Sequence, residues 1–166
     1  MNRRKFIQTI GLGAAGLSLL PAATLRAANG KRKPNVIVIL ADDLGNADTT
    51  IFDGWIKTPR IKRMSKEGLT FTDFHTNSSV CSPTRAAFLT GRYQQRVGIV
   101  DVMARHLDTP SLSPKGLTLS RLMKQGGYRT ALFGKWHLGK ELENNPIHHG
   151  FDEFRGYLDG CIDYHD

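Results

Sequence analysis

The sequence predicts an α/β fold, because runs typical of strands alternate with runs typical of helices. Residues 36–41 form a continuous apolar and β-branched run, which fits a strand buried on both faces, as in a parallel sheet. Residues 69–74 alternate between apolar and polar side chains, and residues 128–133 form a third strand-like run. Thr118 is a typical N-cap of a short helix that would precede this third strand. A chain of 166 residues is long enough for one domain with a proper core.

A second predicted helix lies between the first two strands. Thr58 is its expected N-cap, and Pro59 suits the first helical position, where a missing N–H is not needed. Ile61 and Met64 would face the core, and Gly68 would end the helix.

The formal net charge of +8 invites a nucleic-acid interpretation, so its position along the chain matters. The first 28 residues hold four basic side chains and no acid, and three more basic residues follow at 31–33. The rest of the chain is therefore near neutral, and it nowhere interleaves basic and aromatic residues as a nucleic-acid surface would. We expect no nucleic-acid partner.

The N-terminus resembles an export signal. Arg3 and Arg4 form a twin-arginine pair, and the apolar run at residues 7–20 is short and rich in glycine and alanine. We expect residues 1–28 to be a twin-arginine-type signal peptide read by export machinery, and residues 29–34 to be a linker. The protein would then reach the bacterial periplasm or the exterior, and an uncleaved signal that acts as a membrane anchor is the alternative.

Cys81 is predicted to begin a helix. Pro83 suits the first turn and Gly91 suits the position just past the end, so free N–H groups and the positive dipole end would gather at Cys81. Arg85 lies one turn further along the same face, where a guanidinium can hold oxygens of a sulfate or phosphate. The plain alternative is a small buried thiol with a surface charge. Cys161, the second cysteine, is expected to be an ordinary thiol rather than a disulfide partner of Cys81.

Two acids, Asp42 and Asp43, directly follow the first predicted strand. Ligands bind at the carboxyl ends of strands in open α/β sheets, and adjacent carboxylates repel unless a cation or a shared proton relieves them. A metal site is one interpretation of this pair, and a solvated turn or helix cap is the other.

Lys135 and His137 follow the last predicted strand. If the chain is extended there, both side chains point the same way and Trp136 points opposite. Taken singly, Lys135 would be an ordinary surface lysine and His137 an ordinary hydrogen-bonded histidine.

Together these segments resemble the signatures of type I sulfatases. The first similar segment is residues 81–92, which contains Cys-Ser-Pro-Thr-Arg followed by Leu-Thr-Gly-Arg. The second is residues 127–139, Gly-Tyr-Arg-Thr-Ala-Leu-Phe-Gly-Lys-Trp-His-Leu-Gly. Residues 39–45, Ile-Leu-Ala-Asp-Asp-Leu-Gly, are similar to the family's first metal-binding turn. The resemblance implies an alkaline-phosphatase-like α/β sandwich with a large mixed sheet between helices. Family members are much longer, so we expect residues 35–166 to be the N-terminal portion of an incomplete catalytic domain that is inactive alone.

The resemblance also implies a mechanism. Cys81 would be oxidised to formylglycine by a formylglycine-generating enzyme, and the hydrated aldehyde would attack sulfur and later expel sulfate. Arg85 would stabilise the modified residue, Lys135 would bind a sulfate oxygen, and His137 would assist removal of a proton. The substrate would be an aryl sulfate or a sulfated polysaccharide.

A divalent cation belongs to the same implied site. Asp42, Asp43 and the modified Cys81 would hold Ca²⁺, or Mg²⁺, through oxygen atoms.

Two alternatives to a sulfatase remain. One is a phosphatase or phosphonate hydrolase of the same superfamily, because formylglycine and similar anion geometry serve some of those enzymes. The other is a non-catalytic truncated remnant.

Overall fold

The structure is a computed structural model that describes residues 32–103 and 109–163. It divides into two units, Met1–Ala41 and Asp42–Asp166. The predicted signal peptide and the first residues of the linker, residues 1–31, lie outside the described part.

The predicted strand at residues 36–41 is wrong. Residues 32–41 of the first unit carry neither helix nor strand, and the apolar side chains are exposed, with Ile37 at 84%. A strand buried on both faces needs a hydrogen-bonded neighbour and apolar cover, and the described residues of this unit supply neither.

The second unit contains three α-helices and a two-stranded sheet among its described residues. The helices are α1 (Pro59–Glu67), α2 (Cys81–Thr90) and α3 (Leu119–Gln125), and the strands are β1 (Ala131–Lys135) and β2 (Glu153–Tyr157). Short 3₁₀ helices connect them at Asn46–Asp48, Thr50–Phe52, Gln94–Val97, Leu142–Asn144 and Pro146–His149.

The two strands are parallel, with Ala131 opposite Glu153 and Lys135 opposite Tyr157. The prediction of a strand at 128–133 is therefore right in kind, but its bounds lie two to three residues too early. Backbone pairing continues past the strand ends, where His137 N donates to the carbonyl of Leu158 at 3.0 Å. This extension brings the segment after β2 alongside His137.

Helix α1 confirms the expected bounds, with Thr58 before it and Gly68 after it. Its predicted core contacts are wrong, because Ile61 and Met64 are exposed and line an open groove of about 540 Å³. The strand predicted at residues 69–74 is also absent, and Leu69 is exposed on the same groove. Alternation of side chains cannot make a strand where no neighbouring strand hydrogen-bonds to it.

Helix α2 confirms both predicted ends. It begins at Cys81 and is closed by Gly91, whose φ of 64° lies in the left-handed region that glycine adopts without strain. Its buried face, with Ala86 fully inaccessible, packs in the core. That core also contains Leu89, Ile99, Leu112, Trp136 and Leu138. The shared core fixes the start of α2 against the end of β1.

None of the helices in the described residues has both the length and the apolar character needed to cross a membrane.

Candidate active site

The N-terminus of α2 forms one wall of the candidate site. Cys81 is its first residue, the preceding Val80 has no side-chain oxygen to cap it, and its first turn contains no acid. An uncapped first turn presents backbone N–H groups and the positive end of the dipole, which together favour an anion.

His137 lies against Cys81, although 56 residues separate them in sequence: Sγ of Cys81 is 3.1 Å from Nδ1 of His137. Trp136 is buried in the core beside it, which anchors this segment. The chain is not extended here, because β1 ends at Lys135 and His137 has a left-handed φ of 55°. The premise of a continuous extended segment is thus wrong, yet both side chains reach the site.

Lys135 and Arg85 converge on Asp42. The ammonium of Lys135 donates to Oδ2 of Asp42 at 2.8 Å, and Nη2 of Arg85 lies 3.5 Å from Oδ1. Arg85 also donates from Nη1 to the carbonyl of Lys135 at 2.8 Å, which ties α2 to the end of β1. Both cations are largely buried, with a side-chain exposure of 14% for Arg85 and 9% for Lys135. Three segments that are distant in sequence therefore meet in one charged cluster.

The charge of this cluster is set by its cations. The hydrogen bond from Lys135, aided by the charges of Lys135 and Arg85, holds the pKa of Asp42 below its usual value. Asp42 is therefore an anion at neutral pH, and it offsets only part of the positive charge of the two bases.

Asp43 follows with a left-handed φ of 54° and is exposed. The structure gives its carboxylate no hydrogen bond or ion pair with another described residue. The structure thus brings Asp42, but not Asp43, into contact with Lys135 and Arg85.

His137 is neutral near pH 7. Burial is the main cause that lowers its pKa, and the nearby charges of Lys135 and Arg85 act in the same direction. A hydrogen bond to the carbonyl of Met103 opposes the shift, as does the charge of Asp159. A neutral imidazole in contact with residue 81 can accept a proton.

Sequence reasoning missed three residues around His137. The carbonyl of Met103 lies 3.1 Å from Nε2 of His137, and the amide of Met103 donates to the hydroxyl of Ser82 at 3.1 Å. Gly160 packs on the imidazole so closely that a Cβ there would lie 2.6 Å from Cε1 of His137. Ser82 lies inside the motif at residues 81–92, whereas Gly160 lies outside the three motif segments described above. A backbone carbonyl such as that of Met103 leaves no signal in the sequence.

The donors present fit part of a divalent cation site. Within residues 32–103 and 109–163, no three His, Cys, Asp or Glu side chains cluster in a way that could hold a metal. The carboxylate of Asp42 is nevertheless ionised and partly exposed, and such hard oxygen donors suit Ca²⁺ or Mg²⁺ rather than softer metals.

The cysteines are both free, and Cys161 is exposed.

The sulfatase family model matches residues 34–165 of this chain. Among curated relatives, mouse steryl-sulfatase is 39% identical over 150 residues, covering 83% of this chain and 24% of the relative. Dog N-acetylgalactosamine-6-sulfatase is 39% identical over 148 residues, covering 84% of this chain and 28% of the relative. The chain belongs to the sulfatase family, and it spans about a quarter of the length of these relatives.

Solved structures also resemble this chain in fold. The crystal structure of Ps i-CgsB superposes with a TM-score of 0.73 at 36% identity, over 78% of this chain and 29% of that one. The same protein in complex with k-i-k-neocarrahexaose gives a TM-score of 0.72. These matches establish that the described α/β unit is a portion of the alkaline-phosphatase-like fold expected from the sequence.

Proposed function

We propose that the whole protein is an exported sulfatase that hydrolyses sulfate esters at residue 81. The observation that carries the proposal is the convergence of Cys81, Arg85, Lys135, His137 and Asp42 from three segments, in a chain of the sulfatase family. Two largely buried cations and an uncapped helix N-terminus favour a substrate anion beside residue 81.

Each side chain then has a task that its geometry supports. Cys81, converted to formylglycine by a formylglycine-generating enzyme, would supply the reactive aldehyde hydrate. The ammonium of Lys135, which donates to Asp42, would donate to a sulfate oxygen when the substrate binds. Arg85 ties α2 to the end of β1 through its hydrogen bond to the carbonyl of Lys135, and it adds positive charge to the site. His137 presents Nδ1 to residue 81, where it can take up and return a proton.

A divalent cation, Ca²⁺ or alternatively Mg²⁺, would be held in part by Asp42, with Asp43 and the modified Cys81 as further oxygen donors. Such a cation supplies Lewis-acid polarisation of a bound sulfate oxygen. Ca²⁺ usually takes 6–8 oxygen ligands, so these three groups would form only part of its shell.

The substrate class is a sulfated small molecule or polysaccharide. Support for a carbohydrate comes from relatives named N-acetylgalactosamine-6-sulfatase and from the neighbour solved with a neocarrahexaose. The phosphatase and phosphonate-hydrolase alternative predicts turnover of phosphate or phosphonate esters at the same residues.

Two measurements test the proposal. Conversion of Cys81 to formylglycine removes about 18 Da, so peptide mass spectrometry of the full chain, made with the maturing enzyme, should find that loss at position 81. The converted whole protein should hydrolyse an aryl sulfate faster than a phosphate ester, and its Cys81→Ala variant should hydrolyse neither. Unmodified cysteine in that host, or preferential phosphate release, would contradict the proposal.

Export rests on the paired arginines of the N-terminus. The double variant Arg3→Lys with Arg4→Lys should leave the precursor in the cytoplasm, because the twin-arginine route reads that pair. Fractionation with immunoblotting measures the outcome, and normal periplasmic accumulation would exclude this route.

A further inference from the structure

A closed ring of contacts surrounds the imidazole of His137. The hydroxyl of Ser82 accepts a hydrogen bond from the amide of Met103 at 3.1 Å. The carbonyl of the same Met103 lies 3.1 Å from Nε2 of His137, and Nδ1 of His137 lies 3.1 Å from Sγ of Cys81. Cys81 and Ser82 are adjacent, so the ring returns to its starting helix.

The chemistry of each atom in the ring sets the position of one proton. A carbonyl oxygen can only accept, so Nε2 of His137 must carry the proton that bonds to Met103. In the neutral imidazole the other nitrogen, Nδ1, then holds a lone pair, and that lone pair faces residue 81. The Met103 carbonyl therefore selects the tautomer in which His137 can act as a base toward residue 81.

The backbone at Met103 lies outside any helix or strand. Its carbonyl is directed at His137 while its amide is held by Ser82, a fully buried residue on α2. We propose that Ser82 is a positioning residue that fixes the tautomer of His137 through the backbone of Met103. This inference rests on the proposed role of His137 as a base in sulfate-ester hydrolysis.

The test reads the tautomer directly. The full chain with unmodified Cys81 is labelled with ¹⁵N-histidine, and long-range ¹⁵N–¹H correlations at one neutral pH report which ring nitrogen is protonated. The signal missing from a His137→Gln variant assigns His137. In the wild type we expect the Nε2–H form to predominate.

Ser82→Ala should shift the ratio of the two tautomers by about fivefold toward Nδ1–H, the size expected from about 1 kcal/mol for one net hydrogen bond. Thr84→Val is the matched control, because its hydroxyl lies in the same helical turn but donates to the carbonyl of Ser78 at 2.8 Å. It should leave the ratio unchanged. The signal of His149, buried against Trp136, reports in the same spectrum whether the fold is intact.

The inference is overturned if the folded Ser82→Ala protein keeps the wild-type ratio within about twofold, or if Thr84→Val shifts it equally. If Ser82→Ala loses the His149 signal, the near-isosteric variant Ser82→Cys, kept reduced, is measured instead. Its sulfur is a weaker acceptor than the hydroxyl, so the tautomer ratio should shift less but in the same direction. An unchanged ratio in this variant overturns the inference. In the converted whole protein, Ser82→Ala should lower kcat and leave KM unchanged. A tautomer shift in a protein without sulfatase turnover would support the positioning role while refuting the proposed function.

Discussion

His149 should make this fold sensitive to mild acid. Its side chain is fully buried, its ring centroid is 5.0 Å from that of Trp136, and neither ring nitrogen has a hydrogen-bond partner among the described residues. Burial is the main cause that lowers the pKa of His149 from 6.5 to about 4, and the charges of Arg121 and His148 add to it. Protonation would place an uncompensated charge in the core.

The direction and size of the effect follow from proton binding. Between pH 6.5 and about 4 the unfolded histidine is protonated while the folded one is neutral. The unfolded state therefore binds more protons, and the free energy of unfolding falls as the pH is lowered through this range. A difference of this size is worth about 3 kcal/mol, which is a large share of the 5–15 kcal/mol of a typical domain. The contribution of neutral, buried His149 to the free energy of unfolding is fully present above pH 6.5. It is lost between pH 6.5 and about pH 4, and it does not fall further at lower pH.

Urea unfolding of the full chain at several pH values from 7.5 to 4.5 would measure this slope. The variant His149→Leu removes the buried titrating group while preserving apolar volume, so its free energy of unfolding should vary much less with pH. An equal slope in wild type and His149→Leu would refute the reasoning. Carboxylates such as Asp42, whose pKa is lowered by folding, lose their stabilising contribution only at lower pH.

Three further predictions concern the site. Gly160→Ala should push the imidazole of His137 away and lower kcat by on the order of 10²-fold, whereas Gly116→Ala, whose added Cβ would meet its nearest atom at 3.7 Å, should not; a steady-state assay compares them. Lys135→Met should raise the pKa of Asp42 toward its usual value, measured by ¹³C NMR, since Lys135 is the main cause of its lowering. The same variant should lose about 10–100-fold in kcat/KM, the cost of one charged hydrogen bond, and an unchanged value would contradict a sulfate contact. Chelation of the converted protein should abolish turnover and added Ca²⁺ should restore it, whereas full activity in chelator would refute a metal requirement.

Local signals in the sequence predicted the helices well. Thr118 accepts a hydrogen bond from the amide of Arg121, α2 begins at Cys81, and Gly91 closes it in a left-handed conformation. Each of these features depends on residues within about four positions of one another, so the sequence contains the whole interaction.

Strands and contacts across the site depended on the tertiary structure. The sequence predicts strands at residues 128–133 and 36–41, but among the described residues only the first segment has a partner strand. Its hydrogen bonds with β2 set the bounds of β1 at Ala131–Lys135. The motif residues were named from sequence because their spacing matches a family pattern. The tautomer of His137, by contrast, depends on Met103, and its ring position depends on Gly160, and neither contact is local. A sequence records which side chains are available, whereas hydrogen bonds and close packing between distant segments exist only once the chain has folded.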